Sequence, residues 1–265
     1  MKRGPRYDEV MDEAPRADVL AIDVGATSIK LADVTLAGHI IGNIRRKATP
    51  YPCSPSRLVE WLAERIGTRD VPRVAVGFPG EYRDGVVIAP GNLSRVSGAG
   101  SPIDEAIDRM WRGFALTEAL RDRCNRDVRV VNDAALAALG SVSGVGRELM
   151  VTLGTGFGIA LVVDGNPAPI DDYGQKDWQS GRTFDEAFGE RARSHDENSW
   201  ATELVSAVKD LLTTFNVDRL CIGGGNAPRL RRDLFATLGV PVSLHGNRAP
   251  LIGAARLFAG SFGAI

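Results

Sequence analysis

Short apolar runs, each ending at a glycine or a polar turn residue, alternate along this chain with stretches whose apolar positions recur every three or four residues. The runs have strand length and the stretches have helical period, so the pattern predicts a mixed α/β protein. Residues 19–22 read as a buried strand, 29–34 alternate like its hairpin partner, and 40–46 supply a possible third strand. Ser54-Pro55-Ser56 starts a helix over 57–66, with Leu58, Trp61, Leu62 and Ile66 on one face. Residues 74–76 run as a strand into the turn Gly77-Phe78-Pro79-Gly80, and Arg83-Asp84-Gly85 turns a hairpin into 86–88.

An amphipathic stretch over 103–111 and a helix over 114–123 lead to a strand at 128–131, which ends at Asn132-Asp133. Alanine-rich residues 134–139 follow as a helix, placing Asp133 at its N-terminus. Residues 149–153 and 159–163 form a second hairpin, and a polar loop runs from Asp164-Gly165 to about Arg182. Helices start at Phe184 and Trp200, strands follow at 219–222 and 240–244, and 251–258 form a closing helix of small residues. Trp200, Leu204, Val208, Leu211 and Phe215 make a core stripe rather than a cofactor box. A hairpin with a glycine turn followed by helix and strand thus occurs twice, which predicts two α/β domains facing one cleft. The expected division is a disordered tail over 1–16, an N-terminal domain over 17–133 completed by a C-terminal helix at 248–265, and a C-terminal domain over 134–247.

Composition narrows the class. The 265 residues are 44% apolar and 25% charged, which is enough for a sizeable core without staples. The net charge of −1 gives no electrostatic footprint for nucleic acid or an anionic membrane. No apolar run is long enough to span a bilayer, and the charged first fifteen residues do not resemble a signal peptide. Cys53, Cys124 and Cys221 and the three histidines fit no metal spacing, so the expectation is a cytoplasmic protein without structural zinc.

Three glycine-rich turns each leave a strand: Asp23-Val24-Gly25-Ala26-Thr27-Ser28-Ile29-Lys30, Leu153-Gly154-Thr155-Gly156-Phe157-Gly158, and Ile222-Gly223-Gly224-Gly225-Asn226. Glycine lets backbone N–H groups approach phosphate oxygens with no Cβ in the way. Taken singly, each has a plain structural reading. Asp23 can be a turn former, Gly154–Gly158 a β-turn, Asp133 a helix cap, Lys30 a solvated strand lysine, and Arg229, Arg231 and Arg232 a solvated face. Their joint order favours phosphoryl transfer.

That order, D-x-G-x-T-x-x-K, G-F-P-G, N-D-A, L-G-T-G-x-G and G-G-G-N, resembles the ROK sugar kinases across about residues 18–262. The short zinc-less branch that includes polyphosphate glucokinases is the most similar. The resemblance implies a two-domain actin/hexokinase-like (ribonuclease H-like) fold with a cleft between the domains, and a homodimer. Phosphoryl transfer to an alcohol needs charge neutralised, two oxygens in line and a base at the hydroxyl. Gly25 and Thr27 would cradle the phosphates from one side, with Lys30 beside them, and Gly154, Thr155 and Gly156 from the other. Asp23 would hold Mg²⁺ directly or through water. Gly224 and Gly225, with Asn226, would floor the nucleotide. Asp133, ionised near its ordinary pKa, would be the general base, and Asn132 would grip neighbouring sugar hydroxyls. By the same resemblance, Gly80 and Asn92 line the sugar's other side. The donor is ATP-Mg or polyphosphate-Mg.

Where the family often carries Glu-x-Gly-His, this chain has Asp172-Tyr173-Gly174-Gln175. Asp172 would reach about 1.5 Å less far, and Gln175 cannot change charge near neutral pH. The expected acceptor is therefore the primary hydroxyl of a modified hexose, an amino sugar or a C7-cyclitol rather than plain glucose. The alternative is a non-catalytic sugar-binding regulator. Such proteins need an N-terminal DNA-binding module, and the residues before the first motif are too few for one.

Overall fold

Large and small apolar residues alternate along the strands, and this alternation sets the layers of the molecule. The computed structural model describes residues 16–259, so the expected tail, apart from Arg16, and the last residues of the expected closing helix lie outside the described residues. In β1 (Val19–Val24), Leu20, Ile22 and Val24 enter one core, whereas Val19 and Ala21 enter another on the opposite face. β4 (Arg73–Phe78) repeats this, with Val74, Val76 and Phe78 on one side and Ala75 on the other. With β2 (Ser28–Val34), β3 (Ile40–Ala48) and β7 (Asp127–Asn132) they form a five-stranded sheet of order β3-β2-β1-β4-β7. β1, β4 and β7 run parallel, β2 is antiparallel to β1, and β3 is antiparallel to β2 at the edge. A small hairpin of β5 (Glu81–Arg83) and β6 (Val86–Ala89) stands apart.

The second sheet repeats the topology. β8 (Arg147–Leu153), β9 (Phe157–Val163), β10 (Asn166–Ala168), β11 (Arg219–Gly223) and β12 (Val242–Leu244) take the order β10-β9-β8-β11-β12. Leu149, Val151 and Leu153 face one core and Met150 the other. The polar loop expected after Asp164 contains β10, an edge strand beside β9 that tolerates Pro167 because its outer side needs no partner.

The outer face of the first sheet carries α1 (Pro55–Gly67), α2 (Glu105–Trp111) and α3 (Leu116–Cys124). That of the second carries α5 (Phe184–Phe188) and α7 (Glu197–Phe215). α7 begins three residues before the Trp200 expected from periodicity, because Asp196 caps it by accepting from the N–H groups of Asn198 and Ser199. The short α6 (Glu190–His195) buries no residue and so has no apolar stripe to announce it; Arg193 holds it by pairing with Glu190 and Glu197.

Between the sheets lie α4 (Asp133–Leu139) and α8 (Ala249–Ala259). Leu136 and Leu139 of α4 pack with α8 against the first sheet, while Ala134, Ala137 and Ala138 pack against the second. One short helix therefore serves both halves, and alanines on one face let the second sheet approach it closely. Gly253 of α8 is needed at the crossing, since a Cβ there would overlap the Leu136 carbonyl.

Candidate active site

Three parallel strands of the first sheet end at one level. Asp23 of β1 pairs in register with Gly77 of β4, and Gly77 with Val131 of β7, so Asn132-Asp133 emerges beside them. Ligand sites of open α/β sheets form at such carboxyl ends. A Cβ on Gly77 would lie 3.3 Å from Asp133 Cα, so that glycine lets α4 start close to the sheet.

The cap of α4 is Asn132. Its Oδ1 accepts from the N–H groups of Ala134 at 2.9 Å and Ala135 at 3.2 Å, and its Nδ2 donates to the Gly80 carbonyl at 2.9 Å. Asp133 is thus the first helical residue rather than the cap, although its Oδ1 also accepts from the Ala134 N–H at 2.8 Å. Burial raises the Asp133 carboxyl to about 8, helped by the negative charges of Asp23 and Asp172; the Ala134 N–H and Lys30 oppose the rise. This corrects the expectation of an ordinary carboxylate: burial and two acids distant in the chain set the shift, and residue type at one position reveals neither.

Lys30 sits opposite Asp23 across the β1–β2 pair, and its Nζ lies 2.7 Å from Asp23 Oδ2. The two side chains are 16% and 9% exposed, so this lysine is no solvated strand residue but a largely buried cation. Beyond it the first turn is tied down: the Gly25 N–H donates to the Ser28 carbonyl, and Thr49 Oγ1 donates to the Gly25 carbonyl at 2.6 Å. Thr27 Oγ1 then meets Thr155 Oγ1 of the second turn at 3.4 Å. The two phosphate-cradle candidates come from different sheets and converge.

The second turn is braced from behind. Gly224, at φ +91°, crosses so near the end of β8 that a Cβ would overlap Leu153. Asn226 is 5% exposed; its N–H donates to the Leu153 carbonyl, and its Nδ2 donates to the Gly154 carbonyl at 3.2 Å. Its amide therefore joins the third turn to the second. Gly225 has only the Asn247 carboxamide facing its missing side chain, 3.7 Å from where a Cβ would stand.

On the remaining wall, Asp172 Oδ1 accepts from the Gly174 N–H at 2.9 Å, which closes a turn and leaves the residue exposed. Gln175 Nε2 donates to Asp185 Oδ2 at 2.8 Å. Asn92 Oδ1 accepts from Arg95 Nε at 2.9 Å. Asp185 and Arg95 went unnoticed in the sequence. Asp185 sits in an ordinary capping box behind Thr183, and nothing local marks its distant partners. Arg229, Arg231 and Arg232 keep the solvated reading: Arg231 pairs with its neighbour Asp233, and Arg229 reaches Glu197 only at 4.0 Å.

Among the described residues no group of three or more His, Cys, Asp or Glu side chains is placed to hold a metal ion, and no helix is long and apolar enough to cross a membrane. Lys30 engages Oδ2 of Asp23, so a cation at this residue would have to be held through Oδ1. One carboxylate plus phosphate oxygens is a set that Mg²⁺ accepts.

A profile of the ROK family matches residues 19–169. Polyphosphate glucokinase of Mycobacterium tuberculosis is 25% identical, over 95% of this chain and 91% of its own length. Inorganic polyphosphate/ATP-glucomannokinase from Arthrobacter sp. strain KM superposes with a TM-score of 0.74 at 28% identity, covering 92% of this chain and 99% of that one. A ROK family glucokinase from Streptomyces griseus, in complex with glucose and AMPPNP, shares the fold with a TM-score of 0.67 at 19% identity, over 90% of this chain and 98% of that one. The architecture is the expected two-domain actin/hexokinase-like α/β fold.

Proposed function

Because the chain belongs to the ROK family, we propose that it is a sugar kinase that moves the terminal phosphoryl group of ATP or polyphosphate to the primary hydroxyl of a hexose-like ring. The observation that carries this reading is the seating of Asp133 near the Asp23–Lys30 pair at the strand ends, with Thr27 and Thr155 converging from the two halves. The helix that presents Asp133 packs on both sheets, so the base is seated between the two halves.

Asp133, once ionised, accepts the proton as the acceptor oxygen forms its bond to phosphorus and the bond to the donor's bridging oxygen breaks. ADP, or a polyphosphate one unit shorter, leaves. A carboxyl raised to about 8 is a stronger base than an ordinary carboxylate, with about a tenth of it ionised at pH 7 and about half at pH 8. The hydroxyls of Thr27 and Thr155 and the amides around Gly25, Gly154 and Gly156 hold the transferred oxygens, and Lys30 supplies fixed positive charge. Mg²⁺ bound at Asp23 with the donor would offset further phosphate charge. Gly224 and Gly225 offer a flat surface for a nucleotide base.

The acceptor wall argues for a ring other than plain glucose. Asp172 is engaged in its own turn and Gln175 in a bond to Asp185, so neither presents the longer carboxylate or the imidazole of the family motif. We include amino sugars and C7-cyclitols for that reason. A homodimer follows from family likeness, and no step of the mechanism needs it.

The test is a panel of glucose, mannose, glucosamine, N-acetylmannosamine and a C7-cyclitol, each assayed with ATP and with polyphosphate for a phosphorylated product. Turnover of at least one acceptor is expected, with a modified ring preferred over glucose. Ring binding without turnover under both donors would mark a regulator instead.

A further inference from the structure

Asp185 stands between the two loops that the proposed reaction must coordinate. Its Oδ1 accepts from the Phe157 N–H at 2.7 Å, inside the second glycine turn, and its Oδ2 accepts from Gln175 Nε2 at 2.8 Å, on the acceptor wall. Its backbone N–H donates to the Gly174 carbonyl at 2.9 Å. Gly156 and Gly174 flank the carboxyl so closely that a Cβ on either would press into it, at 2.8 Å from Oδ1 in the case of Gly174. Two glycines from two loops thus make room for one carboxylate.

Both partners of this carboxylate are donors, so each of its oxygens holds one loop. The bond to Phe157 is partly buried and the bond to Gln175 is exposed, while the Thr183–Glu186 capping box fixes the start of α5 on which Asp185 sits. Burial nonetheless pushes its carboxyl upward, and the nearby charge of Asp172 adds to that rise; the Phe157 N–H, Gln175 and Arg95 hold it down. Arg95 belongs to the first half of the chain, so the carboxylate also senses charge across the cleft.

We propose that Asp185 is a positioning residue that couples acceptor binding at residues 172–175 to the phosphate-binding turn at residues 154–158. A ring hydroxyl donating to Gln175 Oε1, the other atom of the amide that binds Asp185, holds the existing Gln175–Asp185 bond in place. Asp185 in turn holds the Phe157 amide and with it the turn that grips the donor. Donor affinity is then higher with acceptor bound, and by linkage acceptor affinity is higher with donor bound. This rests on the reading of the second turn as donor site and of residues 172–175 as acceptor wall.

Two-substrate initial rates test it, using the best acceptor of the panel and whichever of ATP and polyphosphate the wild-type protein uses. The quantity is the donor dissociation constant at zero acceptor divided by the donor KM at saturating acceptor. For the wild type a ratio of about fivefold or more is expected. In Asp185→Ala the ratio should fall to about one. Gln175→Ala, at an exposed position, should also bring it to about one, and it carries the test if Asp185→Ala does not fold. A merely structural role would weaken both constants and leave their ratio alone. A ratio that survives in either folded variant, or a turning-over wild type with a ratio near one, overturns the coupling. A wild type inert on the whole panel defeats the kinase reading itself, and the coupling falls with it.

Discussion

Thr27 Oγ1 and Thr155 Oγ1 lie 3.4 Å apart, although they are 128 positions apart in the chain and sit in turns of different sheets. Two glycine turns that only bounded their own hairpins would have no reason to bring hydroxyls together across a cleft. In the proposed reaction these two hydroxyls, one from each half, would donate to oxygens of the same phosphoryl group.

Replacing Thr155 by Val removes one of these hydroxyls while keeping the β-branched shape. Loss of one such oriented donor is expected to lower kcat/KM by about 100-fold. The melting temperature should barely move. Steady-state kinetics with varied donor, alongside thermal unfolding, check both halves of the statement.

Lys30→Met leaves the Asp23 carboxylate largely buried without its cation. Breaking a buried pair in this way costs about 3 kcal/mol. Urea unfolding should register that loss, and the double variant Asp23→Asn/Lys30→Met should recover much of it. Activity should not return in the double variant, which separates the electrostatic task of the pair from its part in folding.

The raised Asp133 carboxyl fixes two pH dependences of opposite sign. Activity needs the ionised form, so kcat/KM should climb with pH through a midpoint near 8. Stability should do the reverse. Between the unfolded carboxyl value of about 3.9 and the folded value of about 8, the native state holds more protons than the unfolded state, so stability falls as pH rises. Asp133→Asn should remove that slope and melt higher than wild type at pH 8, with little difference at pH 4. Thermal unfolding of both proteins across this range checks the sign.

Gly253→Ala would push a methyl group into the Leu136 carbonyl where α8 crosses α4. Overpacking of this kind costs about 1–3 kcal/mol. Since α4 also presents Asp133, kcat should fall with stability, whereas an exposed glycine such as Gly67, which has nothing near it, should tolerate alanine. Parallel measurement of unfolding and kcat for the two variants tests the coupling.

Much of this molecule could be read before its coordinates were known, and the reasons are local. The β1–β2 hairpin, the strand into Asn132-Asp133 and the helix at 134–139 follow from periodicity and from the short reach of glycine and Asx turns. β10 was missed because an edge strand containing Pro167 needs no apolar face. The capping role of Asn132 rather than Asp133 depends on side-chain geometry that residue type alone leaves open. The Asp133 carboxyl could not be judged because its shift comes first from burial and then from the charges of Asp23 and Asp172, which lie far away in the chain. Asp185 was invisible for the same reason: its partners are a backbone amide in one loop and an amide side chain in another.

The whole account turns on one buried acid withdrawing a proton while loops from two lobes secure the donor. Its most direct trial is single-turnover phosphorylation by Asp133→Asn with the preferred acceptor, beside calorimetric binding of that acceptor. The prediction is a rate lowered by about 1,000-fold or more with acceptor affinity largely kept. A variant that retains most of the wild-type rate would contradict it.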